Sequence, residues 1–347
     1  MTDRRPLALA AALLLAACGD GTTTDPGLPP ITECRPEGRD APADVYCTGL
    51  YATRDPQYHV PEALEYTPGL RLWSDGAEKR RFLLLPEGTT IDTHELDHWV
   101  FPVGTKAFKE FRVGGKLVET RLLWKQAEDR WVTTTYIWDD AELAAARNTS
   151  VVGVFLEDGY EIPTDKDCGK CHHGGSDYLL GVEAIALALP GARGHTLTDF
   201  VADGLLSDPP VDTTLSLPED DSGHAAEALG FLHANCGMPC HSTRGLGDET
   251  QLVMRLRADE LWDDTGHRRS ITVPDLDTYL ATVDVSPTTA TVAQEWPDAL
   301  RVTPGDHEQS LVWLLSNLRG DYQMPPLASH VIDDVDNAEL AAWIDGL

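Results

Sequence analysis

The chain has 347 residues, 42% of them hydrophobic, enough for two domains of ordinary size around packed cores, which excludes wholesale disorder. Its formal net charge of -30 excludes nucleic-acid binding through a basic surface, because phosphate would be repelled, and makes anionic lipid an equally poor partner. The acidity suits a basic protein partner whose docking weakens with salt, and it equally suits a surface kept soluble by its charge.

At the N-terminus, Arg4 and Arg5 precede an apolar run from Leu7 to Ala17 that is far too short to span a bilayer. Leu15-Ala16-Ala17-Cys18 then reads as a lipobox, with Cys18 as the acylated residue of the mature protein. An ordinary signal peptide with a chance cysteine is the alternative. No later stretch reaches about eighteen unbroken apolar residues, so lipid is the only membrane anchor expected. The expected place is the cell envelope, facing the periplasm or on the outer membrane. Residues 19 to about 33, rich in Gly, Thr, Pro and Asp, read as a tether. Seven cysteines are present; setting Cys18 aside leaves an even number, in three pairs by position. Cys34 and Cys47 enclose a short Pro- and Asp-rich loop and read as a local disulfide.

From about 56 to 165 the pattern is β. Arg81 to Leu85, Trp99 to Pro102, Phe108 to Val113, Val118 to Trp124, Trp131 to Trp138 and Val151 to Phe155 are predicted strands. Gly114-Gly115 marks a hairpin, and Ala141 to Arg147 reads as a short helical interruption. Beyond about 165 the predicted helices are Val182 to Leu189, Ala225 to Ala234, Ser310 to Leu318 and Ala338 to Ile344, separated by loops rich in Asp, Pro and Thr. The expected fold class is α+β: a β-rich N-terminal domain (56–165) followed by a mainly α-helical, cytochrome c-like region (166–347).

The junction carries Cys168-Gly169-Lys170-Cys171-His172. Haem c attaches through two thioethers formed on its vinyl groups, so the two cysteines must lie about one helical turn apart. The histidine after the second cysteine is then carried under the iron as an axial ligand. Export and this motif support one another, because haem is attached on the outer side of the membrane. A redox disulfide is a rival, but it belongs in a thioredoxin-like βαβ unit, which is absent here. A four-thiolate zinc cage of Cys168, Cys171, Cys236 and Cys240 is the sharper rival, although it leaves both histidines unexplained.

The second element, Cys236-Gly237-Met238-Pro239-Cys240-His241, has three residues between its cysteines. A second haem there requires a bulge, for which Gly237 and Pro239 are suited; a Cys236–Cys240 disulfide is the alternative. Of the four methionines, Met324, followed by Pro325-Pro326 before the last helix, is the predicted distal thioether ligand. The distal ligand of the first haem is left open among His195, His224, His233, His267, His307 and His330, since His173 adjoins His172 and cannot easily cross to the other face.

Leu72-Trp73-Ser74-Asp75-Gly76-Ala77, Leu85-Pro86-Glu87-Gly88, Trp99 to Thr105, Thr120-Arg121-Leu122-Leu123 and Tyr136-Ile137-Trp138 appear in order. Ile162-Pro163 before Cys168, His233 to His241, Pro304 to Ser310 and Met324 to Pro326 follow them. Over about residues 60 to 347 the chain resembles a family of exported bacterial di-haem c-type cytochromes, whose usual second element is C-x-x-C-H. The resemblance implies electron transfer with a redox protein partner. Competing readings are a haem enzyme, either a peroxidase or the cytochrome subunit of a dehydrogenase, and a β-type binding module with a structural metal. Trp73, Asp75, Lys79 and Arg80 would line a substrate pocket in the enzyme reading; an Asp75–Arg80 ion pair at a turn is the alternative.

Overall fold

The computed structural model describes Ile31, Cys34 and residues 40–347 apart from 158, 173–175 and 328. Period-two alternation in the middle of the chain builds one antiparallel sheet from β1 (Leu64–Thr67), β2 (Glu78–Leu84), β3 (Lys106–Val113), β4 (Lys116–Ala127), β5 (Arg130–Trp138) and β6 (Ala145–Arg147). A separate pair, β7 (Val154–Phe155) and β8 (Glu161–Ile162), leads into the first Cys–His element. A late strand, β9 (Arg193–Gly194), adds to the edge of the main sheet beside β1, giving the order β6-β5-β4-β3-β2-β1-β9. Gly114 and Gly115 turn β3 into β4 with φ of +57° and +81°, the left-handed geometry a two-residue hairpin requires.

The two faces of the sheet bury different things. On the outer face Phe82, Phe108, Leu122, Tyr136 and Trp138 pack on Ala41, Val45, Tyr46, Leu50 and Tyr51 of the N-terminal segment. The Cys34–Cys47 disulfide closes within that segment. On the inner face Leu83, Ala107 and Leu123 join a core that runs through Ile185, Leu197, Leu229 and Trp262 to Leu340 and Trp343. A single apolar core therefore draws on both halves of the chain.

The expected mainly α-helical C-terminal region does not form, and the fold class is corrected accordingly. The molecule is sheet-rich, organised on its seven-stranded antiparallel sheet. The helices are α1 (Asp165–His172), α2 (Ala184–Ala188), α3 (Leu197–Ala202), α4 (Ala225–Leu232), α5 (Ala258–Leu261), α6 (Asp277–Thr282), α7 (Ala290–Glu295), α8 (Leu311–Ser316) and α9 (Asp334–Gly346). Among them only α9, with 13 residues, exceeds eight. Prolines such as Pro190 and Pro297 follow soon after helices and cannot continue them. Their buried residues join the inner core that Leu83, Ala107 and Leu123 of the sheet also enter, and α4 packs on α9. Two smaller expectations also change. Ala141 to Arg147 contains a strand, β6, because the edge of β5 offers it a ladder. Trp99 to Pro102 makes only an isolated bridge between Asp92 and Val100, although Trp99 and Phe101 are buried in the inner core.

Candidate functional site

The first Cys–His element is helical. Asp167 accepts hydrogen bonds from the Thr164 amide (3.2 Å) and hydroxyl (2.6 Å), which anchors the start of α1. Asp165 and Asp167 sit in its first turn and Lys170 and His172 in its last, as the helix dipole favours. The Thr133 hydroxyl donates to the Asp165 carbonyl (3.4 Å) and seats the helix on β5. Cys168 and Cys171, three residues apart, are therefore neighbours on one side of α1. Both are half-buried free thiols, and burial raises the pKa of each. His172 Nδ1 is hydrogen-bonded to the Tyr178 carbonyl. A carbonyl only accepts, so Nδ1 carries the proton and Nε2 keeps the lone pair, the tautomer of a metal-ligating imidazole.

The residue that fixes this carbonyl escaped the sequence analysis. Asp177, at φ +54°, precedes Tyr178 and accepts from the Phe101 amide (2.6 Å), the Trp131 indole (2.7 Å) and Lys125 Nζ (2.6 Å). Lys125 is fully buried on β4 and also donates to the Phe101 carbonyl (2.8 Å). The available signal was Lys125 itself, one of the charges that interrupt the apolar pattern of β4.

The second element solves its extra residue by backbone geometry. Helix α4 widens into one π turn, His233–Gly237. The Met238 amide donates to the His233 carbonyl (2.8 Å) and the His241 amide to the Cys236 carbonyl (2.8 Å), both five residues back. The C-x3-C-H spacing is thus absorbed without breaking the turn. Gly237 permits it, since a Cβ there would lie 2.4 Å from the Arg255 nitrogen and 2.5 Å from the Met254 carbonyl carbon. Both obstacles are backbone, so Gly237→Ala is expected to cost about 3 kcal/mol in urea unfolding; a wild-type midpoint would contradict this packing. Gly247 has the same role beside His241, whose Nδ1 would be 2.7 Å from an added Cβ. Burial, with Arg301 adding, lowers the His241 pKa and favours the neutral imidazole. Burial pushes the Cys236 thiol up to about 12, with Cys240 adding. The Cys240 thiol is pushed up to about 11 by burial, with the Cys171 sulfur adding.

A small cavity lies against the inner face of the sheet, beside the second element. It holds about 20 Å³, room for about one water. Leu70 and Leu72 line it from the β1–β2 connection, Leu180 from the segment after the first element, and Met238 from the second, with Arg81 and Lys109 on the sheet wall.

The remaining predicted residues are dispersed. Met324 lies on the loop between α8 and α9 with its side chain exposed and its amide bonded to the Leu315 carbonyl (2.8 Å). His195, His224, His267, His307 and His330 each lie beside an acidic partner: Asp203 (3.3 Å), Glu339 (2.7 Å), Asp212 (3.5 Å), Asp345 (2.8 Å) and Glu161 (2.7 Å). His233 is buried at the cavity, but its Nδ1 accepts from the Leu256 amide (3.0 Å). The ring proton of the neutral form therefore sits on Nε2, 3.6 Å from Glu183 Oε1, which is the wrong tautomer for ligation through Nε2. Asp75 does not pair with Arg80; it accepts from the His330 amide (2.9 Å) and the Val331 amide (2.9 Å), while Arg80 pairs with Glu65 (2.8 Å). Trp73 donates its indole N–H to the Val331 carbonyl (2.8 Å), so this segment docks the C-terminal loops. Among the described residues, no three His, Cys, Asp or Glu converge as a metal cage requires, and no helix is long and apolar enough to cross a membrane. Cys18 and His173 lie outside the described residues. Comparison with known proteins finds no matching family model, no matching curated protein and no matching solved structure.

Proposed function

We propose that this chain is an exported c-type cytochrome that carries electrons through covalently attached haem. The first haem is attached at Cys168 and Cys171 with His172 as axial ligand, and the second at Cys236 and Cys240 with His241. The observation that carries the reading is the tautomer of His172. The C-x-x-C-H motif lies on a helix that puts both thiols on one side, and the Tyr178 carbonyl leaves the histidine's Nε2 with its lone pair. The residues at hand suit a haem in two further respects. All four thiols are free, and burial favours the neutral imidazole of His241. Haem iron, when bound, supplies a one-electron couple. The polypeptide's part is to present each pair of thiols on one turn, to hold His172 and His241 in orientation, and to exclude water with the inner core. The net charge of -30 suits a basic redox partner, and the lipobox at Cys18 suits attachment to the cell envelope by lipid alone.

A pyridine haemochrome spectrum of purified protein, read against protein concentration, tests this reading. Two c-type haems per chain are expected. Absence of a c-type α-band would sink the reading, and a ratio of one would confine it to a single element. Partner docking is tested by electron-transfer rates to a basic acceptor, which should fall steeply as salt rises; a salt-independent rate would remove the electrostatic argument.

A further inference from the structure

Three donor side chains without an acceptor line the small cavity on the inner face of the sheet. Arg81 on β2 stands directly opposite Lys109 on β3, and both line the cavity. His233, which opens the π turn of the second element, lines it as well. All three are more than nine-tenths buried, at 5%, 8% and 1% exposure. Among the described residues Arg81 and Lys109 make no ion pair and no side-chain hydrogen bond. His233 Nδ1 accepts from the Leu256 amide, so Nε2 of the neutral ring carries the proton, and it is buried without a hydrogen-bond partner.

Like charges directly opposite in a sheet repel, and burial removes the water that would screen them. Burial lowers the pKa of Lys109 to about 7, with Arg81 and Arg121 adding. Nearby acids offer little relief. Arg121, opposite Lys109 on β4, takes both oxygens of Glu119, at 2.6 and 3.0 Å. Glu183 is the acid on the cavity wall, and it accepts from the Ile185 amide (2.7 Å) and the Ala186 amide (2.6 Å) to cap α2. Its Oε1 lies 3.6 Å from His233 Nε2, beyond hydrogen-bond reach. Two cations against one carboxylate leave the wall with one positive charge in excess. Buried charge of this kind is costly unless it is paired. One monovalent anion would balance it. The space of about 20 Å³ is too small for phosphate, sulfate or an organic acid. A chloride ion, only slightly larger than a water molecule, fits it.

We propose that this cavity is a buried site for one chloride-sized monovalent anion, held between the Arg81 guanidinium and the Lys109 ammonium with the His233 Nε2–H as a third donor. The anion is the counter-charge that lets β2 and β3 pair with two cations opposite each other. It also ties the sheet to the π turn that carries Cys236. The site needs no haem, so it stands or falls independently of the haem reading.

The test uses the full chain in sodium chloride, sodium bromide and sodium gluconate at equal ionic strength, gluconate being too large for the space. Urea unfolding gives the folding equilibrium constant in each salt. An ion that binds only the folded chain raises that constant in proportion to its concentration once above Kd, about tenfold per decade. This rise is expected in chloride and bromide and absent in gluconate. Lys109→Met removes an uncompensated buried cation while keeping its apolar bulk, so the fold should tolerate it. The halide-dependent rise should vanish in that variant; if it persists, it is a general salt effect and the site is overturned. Bromide-soaked crystals of the wild-type protein give a readout that needs no variant. An anomalous peak between Arg81 and Lys109 is expected. A water molecule there would overturn the proposal, as would equal constants in chloride and gluconate.

Discussion

Cys168→Ala/Cys171→Ala protein is expected to carry one covalent haem per chain in place of two, and Cys236→Ala/Cys240→Ala protein should lose the other. Each loss is complete, because a thioether needs the sulfur itself and no neighbouring side chain can replace it. The effect is also specific. The four thiols are free and only half-buried, so their replacement should cost about 1 kcal/mol of fold stability, an ordinary value for a point substitution. Haem content and urea midpoint can therefore be read separately on the same preparations. Unchanged haem content in either double variant would remove that element from the site. For the second element the outcome also decides whether a π turn can present two sulfurs as a regular helical turn does. His241→Ala should leave the haem of that element attached but change its axial ligation, seen as a shift of its Soret band; an unchanged spectrum would free His241 of the ligand role.

The second large effect is expected at a residue outside both motifs. Asp177→Ala should destabilise the protein by about 3–5 kcal/mol, the usual result of stripping one partner from a buried ion pair. Lys125 is fully buried and would retain only the Phe101 carbonyl, while the Phe101 amide and the Trp131 indole would lose their acceptor. Pairing Asp177→Asn with Lys125→Met should recover most of the loss, because both charges then leave together. Chemical denaturation monitored by tryptophan fluorescence would measure this; a loss below about 0.5 kcal/mol in Asp177→Ala would contradict the ion pair. The same substitution has a functional arm. Asp177 fixes the turn that presents the Tyr178 carbonyl to His172 Nδ1, so its loss should loosen the imidazole and raise the high-spin fraction of the first haem. A purely structural role would lower stability and leave the spin state alone.

Much of the site was legible in the residues because its geometry is local. A spacing of three between Cys168 and Cys171, with His172 next, implies one helical turn, and that is what α1 supplies. Gly114-Gly115 implies a tight hairpin because both positions need positive φ. Alternating apolar residues imply strands, and β2, β3, β4 and β5 follow. Even the extra residue between Cys236 and Cys240 announced a bulge, and the π turn that absorbs it ends on Gly237. Other features depend on which strand stands beside which. Strand register alone brings Arg81, Lys109 and Arg121 into one row across β2, β3 and β4, and each cation alone looks like an ordinary surface residue in the sequence. Asp177 meets Phe101, Lys125 and Trp131 from three separate stretches of chain, so no local pattern marks it. The C-terminal helices pack on one another within the core they share with the sheet, and local pattern reveals that a side is apolar but not what will cover it. Spacing along the chain thus sets how the two Cys–His elements are presented. What surrounds them is set by packing between distant segments, whose contacts leave no periodic trace in the sequence.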